Sequence, residues 1–148
     1  MKVKEIMKKP VTSLKPDENA LEALKYLFQR RISGLPVIDE KGRLLGMFTE
    51  KEIISYILPS YLEQVGRFVY EVDPKAVMQK AQHLSGLKVK DIMRQHVATV
   101  EEDTSLCEAA HLMLTQKARR ILVLDKNKSV LGIIAREDVL KALLGDCK

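Results

Sequence analysis

Tryptophan is absent from these 148 residues, and the aromatic complement is three phenylalanines and four tyrosines. That leaves no series of stacking platforms for a single-stranded nucleic acid. The two cysteines, Cys107 and Cys147, are too few for a disulfide framework. Cys107 falls in an apolar helical pattern and is expected to be an ordinary buried thiol in a reducing cytoplasm. No stretch approaches the roughly 18 apolar residues of a membrane span. The opening Met1-Lys-Val-Lys-Glu-Ile-Met lacks the apolar region of a secretory signal. A cytoplasmic setting without membrane insertion is therefore expected. His83, His96 and His111 have neither ligand-like spacing nor a cysteine partner, so no metal or required cofactor is expected. No serine or cysteine nucleophile has a paired base in recognisable context, and no phosphate-loop or dinucleotide fingerprint is present. The chain is not expected to be an enzyme.

What is present is a globular composition, 46% hydrophobic and 30% charged, with a net charge of +5. Lysines and arginines are spread along the whole chain among acidic residues. That pattern favours a solvated surface over a nucleic-acid face, and nucleic acid is not the expected partner.

The dominant feature is a duplication. Lys2–Leu58 and Lys88–Leu144 align without a gap at an offset of 86, with 14 of 57 positions identical. Two copies are too few for a solenoid. Each is also too small to bury a comfortable core alone. The expectation is an intimately packed pseudo-two-fold pair with related clefts between its halves.

Within each copy the pattern reads β-α-β-β-α. Val11–Leu14 and Val97–Val100 are short strand signals. Asp17 and Asp103 stand where N-caps are expected. Ala20, Ala23, Leu24, Leu27 and Phe28 form one helical stripe, and Leu106, Ala109, Ala110, Met113 and Leu114 form its counterpart. Leu35–Asp39 and Leu44–Phe48 flank a polar turn, as do Ile121–Asp125 and Val130–Ile134, so each copy should hold a β-hairpin. Closing helices carry Ile53, Ile54, Ile57 and Leu58, or Val139, Leu140, Leu143 and Leu144. Gly46 and Gly132 mark a close backbone approach, a bulge or a packing need. The fold class is thus mixed α/β (α+β), with repeats at 1–58 and 87–148 and a helical insert at 59–86. In the insert, Tyr61, Leu62, Val65, Phe68 and Val69 recur at helical spacing, and Asp73-Pro74 reads as a helix restart.

The run Ser33-Gly-Leu-Pro-Val-Ile-Asp39 followed by Leu45-Gly-Met-Phe-Thr-Glu-Lys-Glu52 resembles the cystathionine-β-synthase (CBS) domain. Arg119–Asp125 and Leu131–Asp138 repeat the resemblance, so the chain looks like a tandem CBS pair, or Bateman module. The resemblance implies a regulatory module rather than an enzyme, commonly a homodimer controlling an enzyme or transporter. It also implies an adenosine-containing ligand in a cleft between the repeats: AMP, ADP or ATP, or S-adenosylmethionine.

The family's Gly-hydrophobic-hydrophobic-Thr/Ser-x-x-Asp segment holds a ribose, because a carboxylate accepts from both hydroxyls of a cis-diol. Here that motif is split. Copy one has Thr49 with Glu52, which equally fit a helix capping box. Copy two has Asp138 but Ala135 in place of the hydroxyl, and Asp138 also suits the helix dipole. The resemblance makes Asp138 the better ribose candidate. Arg119 and Arg120 stand where kinase-regulatory members of the family contact phosphate, with Arg136 and Arg43 as weaker candidates. A solvated basic pair is the alternative reading. The adenine slot implied by the resemblance uses Val11, Thr12, Ser13, Leu35 and Pro36, and Val97, Ala98, Thr99, Ile121 and Leu122. A ligand-free dimerisation scaffold remains the rival function.

Overall fold

The computed structural model describes residues 1–58 and 74–145. The elements are α1 (Ala20–Arg30), β1 (Gly34–Ile38), β2 (Leu44–Thr49), α2 (Glu50–Ile57), α3 (Pro74–Gln82), α4 (Val89–Ile92), β3 (Thr99–Glu101), α5 (Leu106–Thr115), β4 (Arg120–Leu124), β5 (Val130–Ala135) and α6 (Arg136–Leu143). Of the insert, α3 and a 3-10 turn at His83–Gly86 are described, and Leu84 is buried. The expected helical run from Tyr61 to Val69, and Asp73, lie outside the described residues.

The chain forms two compact units that do not follow the sequence repeats. One gathers Met1–Thr12, Ile38–Leu44 and the described residues from His96 onward. The other gathers Ser13–Val37 and the described residues of Leu45–Gln95. Each is named here by its helix-borne acid, the Asp138 unit and the Glu52 unit. The leading segment of each copy is thus built into the body of the other. Val3 is fully buried in the Asp138 unit's core with Ile121, Val123, Ile134 and Val139. Val89, its equivalent, is fully buried in the Glu52 unit's core with Leu27, Val37, Phe48 and Ile53. Burying one such side chain stabilises by roughly 1.5–3 kcal/mol.

Two glycines make this possible. Lys8 bridges Ile133 of β5 with mutual backbone hydrogen bonds of 2.9 and 3.1 Å. Arg94 bridges Met47 of β2 in the same way, at 2.8 Å in both directions. A Cβ at Gly132 would sit 2.7 Å from the Met7 sulfur, and one at Gly46 would sit 2.5 Å from the Arg94 carbonyl oxygen. Close approach of the leading segment is therefore the reason for both glycines.

Both hairpins form as expected. Asp39 and Asp125 brace the turns by accepting from the N–H groups of Lys41 and Arg43, and of Asn127 and Ser129, at 2.8–2.9 Å. β4 pairs antiparallel with β5 and parallel with β3. The first strand of copy one is a correction. Over Val11–Leu14 only the bridge from Leu14 to Val37 forms. In copy two the Leu122 N–H donates to Ala98 at 3.4 Å, whereas Pro36 at the matching place has no N–H to give.

Three further expectations are corrected. Asn19 and Ser105, rather than Asp17 and Asp103, cap α1 and α5, each accepting at 3.1 Å from the backbone N–H three residues on. Cys107 is exposed, because it follows the inward-facing Leu106 on the solvent side of α5. The apolar stripes also exceed what the cores take up. Phe28, Ile54 and Leu58 stay exposed in the Glu52 unit, as do Leu114, Leu140, Leu143 and Leu144 in the Asp138 unit. No helix of the described residues is long and apolar enough to cross a membrane.

Replacing Gly46 by alanine forces a methyl group against backbone, while at Gly132 it meets a flexible methionine. Gly46→Ala should cost about 1–3 kcal/mol in denaturant unfolding, and Gly132→Ala clearly less. Equal costs would contradict the close-approach account.

Candidate functional site

The site is assembled by the junction of β5 with α6. Asp138 is the third residue of α6, and its Oδ2 accepts from the Ala135 N–H at 2.8 Å. This is half of a capping box, with no side-chain hydroxyl available from Ala135 to complete it. The carboxylate is only 7% exposed, the one buried charged residue among those described. A buried charge needs a partner. Lys8 supplies it, with Nζ 3.2 Å from Oδ1. The bridge between Lys8 and Ile133 fixes where that ammonium stands.

The arginines gather at the same end of the ladder. Arg120 is paired with Ala135 in the strand register. The Arg136 N–H donates to the Arg119 carbonyl at 3.1 Å, and Arg136 Nε donates to the Ala118 carbonyl at 3.3 Å. All three side chains are exposed. The strand register and these bonds place the backbones of Arg119, Arg120 and Arg136 at the end of the β4–β5 ladder from which α6 and Asp138 start. Arg43 is elsewhere, ion-paired with Asp39 at 2.9 Å in the hairpin turn.

The equivalent place in the Glu52 unit is closed. Thr49 caps α2, accepting from the Glu52 N–H at 3.5 Å, and its hydroxyl donates to Glu52 Oε2. Arg94 Nη1 lies 3.2 Å from Glu52 Oε1. Both carboxylate oxygens are therefore engaged by the chain itself. A Cβ at Gly34, which corresponds to Arg120, would lie 2.6 Å from the Thr49 methyl and 2.9 Å from the Phe48 carbonyl oxygen. This gives the split motif a steric reason. Threonine at 49 goes with glycine at 34, and alanine at 135 leaves room for arginine at 120.

Of the adenine-slot candidates, Leu35, Pro36, Ile121 and Leu122 are buried, and Leu35 and Ile121 belong to the helix-side cores. Val11, Ser13, Val97, Ala98 and Thr99 are half-buried, and Thr12 is exposed. Backbone atoms are what such positions can offer a base. An open cavity of about 630 Å³ lies at the far end of the β3–β4 pair, lined by Thr99, Glu101, Glu108, His111 and Asp125 among others. None of the arginines or Asp138 borders it, so size does not mark the chemistry here. No group of three or more potential metal ligands occurs among the described residues.

Lys8 and Arg94 escape a reading that follows only the family motif. Their signal is in the repeat itself, since they occupy matching positions and are both basic. The same is true of Lys4 and Lys90. Lys4 donates to Asp103 at 2.9 Å, and Lys90 stands 3.2 Å from Asp17. Hydrogen bonding from these lysines, and their charge, hold both aspartates below the usual carboxylate range. Lys4 is raised in return, chiefly by its hydrogen bond to Asp103.

The CBS-domain family pattern matches residues 3–59 and 89–145. The CBS domain-containing protein CBSX1, chloroplastic, of Arabidopsis thaliana is 34% identical, over 88% of this chain and 58% of its own length. The chain thus spans little more than half of that relative. The crystal structure of CBSX2 in complex with AMP superposes with a TM-score of 0.73 at 25% identity, covering 99% of this chain and 98% of that one. The CBS-domain pair of protein MJ0100, in complex with 5′-methylthioadenosine and S-adenosyl-L-methionine, gives 0.64 at 27% identity, with 99% and 98% covered.

The lysine–aspartate tethers have a pH signature. A carboxylate whose folded pKa is depressed stabilises fully above its unfolded value, and the contribution is lost as pH falls through the folded value. The Val3 and Val89 amides donate to Thr104 and Glu18 at 2.9 and 2.8 Å. Their protection from hydrogen exchange should therefore weaken as the pH falls below about 4. Asp17→Asn should abolish the pH dependence at Val89 and leave that at Val3.

Proposed function

The chain belongs to the CBS-domain family, and we propose that it is a regulatory module binding an adenosine-containing nucleotide at the Asp138 end of its β4–β5 ladder. The observation that supports this reading is a buried carboxylate in the first turn of α6, at the end of the β4–β5 ladder that also carries three exposed arginines. An ionised carboxylate is acceptor-only and suits the two hydroxyls of a ribose. Guanidinium groups suit phosphate and can meet it with two hydrogen bonds. The ligand class is AMP, ADP or ATP, consistent with the AMP of the CBSX2 complex. S-adenosylmethionine, present in the MJ0100 complex, is the second candidate. Its sulfonium is positive and would stand near Arg119, Arg120 and Arg136, which disfavours it here.

The output is a change in association. Each unit leaves apolar side chains exposed on the helices α1 and α2, or α5 and α6, at matching positions such as Phe28 and Leu114, or Ile54 and Leu140. A second copy of the chain covers them in a homodimer, and nucleotide binding biases that dimer or a regulated enzyme or transporter. The exposed thiol of Cys107 suits a reducing compartment such as the cytoplasm.

Melting of the whole chain tests the ligand. AMP, ADP or ATP at about 100 times its dissociation constant should add roughly 2.7 kcal/mol of stability. The gain should vanish in the Asp138→Ala, Arg120→Ala double variant and be smaller with S-adenosylmethionine. No response to any of the four at millimolar concentration would leave the scaffold reading in its place. Sedimentation tests the dimer: the wild type should run as two chains, and Leu114→Lys with Leu140→Lys as one. A monomeric wild type would contradict it.

A further inference from the structure

Resting on that reading of Asp138, we propose that Lys8 is an internal competitor of the ligand, an affinity-setting residue that occupies the ribose carboxylate until a nucleoside displaces it. The two oxygens of Asp138 are not equivalent. Oδ2 is committed to the Ala135 N–H at 2.8 Å, a bond to a near neighbour within the same turn of chain. Oδ1 faces Lys8 Nζ at 3.2 Å. Each carboxylate oxygen can accept more than one donor, so ribose hydroxyls can share Oδ2 with the fixed Ala135 N–H, whereas at Oδ1 they meet the Lys8 ammonium, the one donor here that can move away. Asp138 cannot withdraw, being 7% exposed, whereas the Lys8 side chain is 64% exposed and can return to water. In the free chain Lys8 keeps a buried charge compensated. In the bound chain the hydroxyls do so, and the ammonium is released into solvent.

The second copy shows the same device closed further. Glu52 is held by Arg94, at the position equivalent to Lys8, and also by the Thr49 hydroxyl. An arginine with a second donor beside it is harder to displace than one exposed lysine ammonium. The pairing of a leading-segment cation with the helix-borne acid is therefore built twice, and only the Lys8 version is easily opened. Arg119, Arg120 and Arg136 carry charge at the same end, but among the described residues the cation in ion-pairing contact with Asp138 is Lys8.

The test is calorimetric titration of the full chain with AMP and with adenosine, using wild type, Lys8→Met and Lys8→Arg. Methionine keeps the length of the side chain and removes the charge. Lys8→Met should bind both ligands about fivefold more tightly, the scale of one partly exposed ion pair. It should also melt lower when ligand-free, because Asp138 then lacks its partner. Lys8→Arg restores the pair and should return affinity toward that of the wild type or below it. Unchanged affinity in Lys8→Met overturns the proposal. Weaker AMP binding with adenosine unaffected also overturns it, and would assign Lys8 to the phosphate instead. A wild type that binds neither ligand is the distinct result that removes the nucleotide reading itself, and this proposal with it.

Discussion

The structure depends on one close contact made twice, a leading segment laid across a glycine on the second hairpin strand. Without a side chain at Gly46 or Gly132, the backbone of Arg94 or Lys8 can reach hydrogen-bonding distance of β2 or β5. That contact places Val89 or Val3 in a core, sets a lysine against Asp17 or Asp103, and delivers a cation to Glu52 or Asp138. Each consequence lies within a single unit. Each also joins residues far apart in sequence, which ties the two halves of the chain together topologically.

The same contact links packing to chemistry. The carboxylates of Asp138 and Glu52 lie in the first turn of a helix, where the backbone N–H groups favour negative charge. Burial makes that charge expensive unless a partner is present. The leading segment provides the partner, so the acid can be poised for a ligand and still be stable without one. The two copies then diverge through pairs of small residues. Gly34 with Thr49 closes one end, and Arg120 with Ala135 opens the other to phosphate.

Much of this was legible in the sequence. The duplication, both hairpins and the cap at Thr49 rest on local patterns or on the repeat, whereas Arg119, Arg120 and Asp138 are singled out only by the family resemblance. The sequence is silent where tertiary partners decide. Asp17 and Asp103 have the right chemistry for N-caps, but lysines 73 and 99 positions away claim them, and Asn19 and Ser105 cap instead. Val11–Leu14 has strand propensity, but its neighbour across the ladder is a proline. The exchange of leading segments cannot be read from either copy alone, because Val3 and Val89 look like ordinary members of their own repeats. Lys8 and Arg94 carry no signal in the family motif, which includes the acid and not the cation that faces it.

The central claim is that Asp138 and the arginines beside it form one ligand site. A crystal structure of the chain grown with AMP tests it most directly. The account predicts the ribose hydroxyls within hydrogen-bonding distance of the Asp138 carboxylate, the phosphate on Arg119, Arg120 or Arg136, and the Lys8 ammonium moved away. AMP seated in the cavity lined by Glu101, Glu108 and His111, or against Glu52 with Asp138 still paired to Lys8, would contradict it.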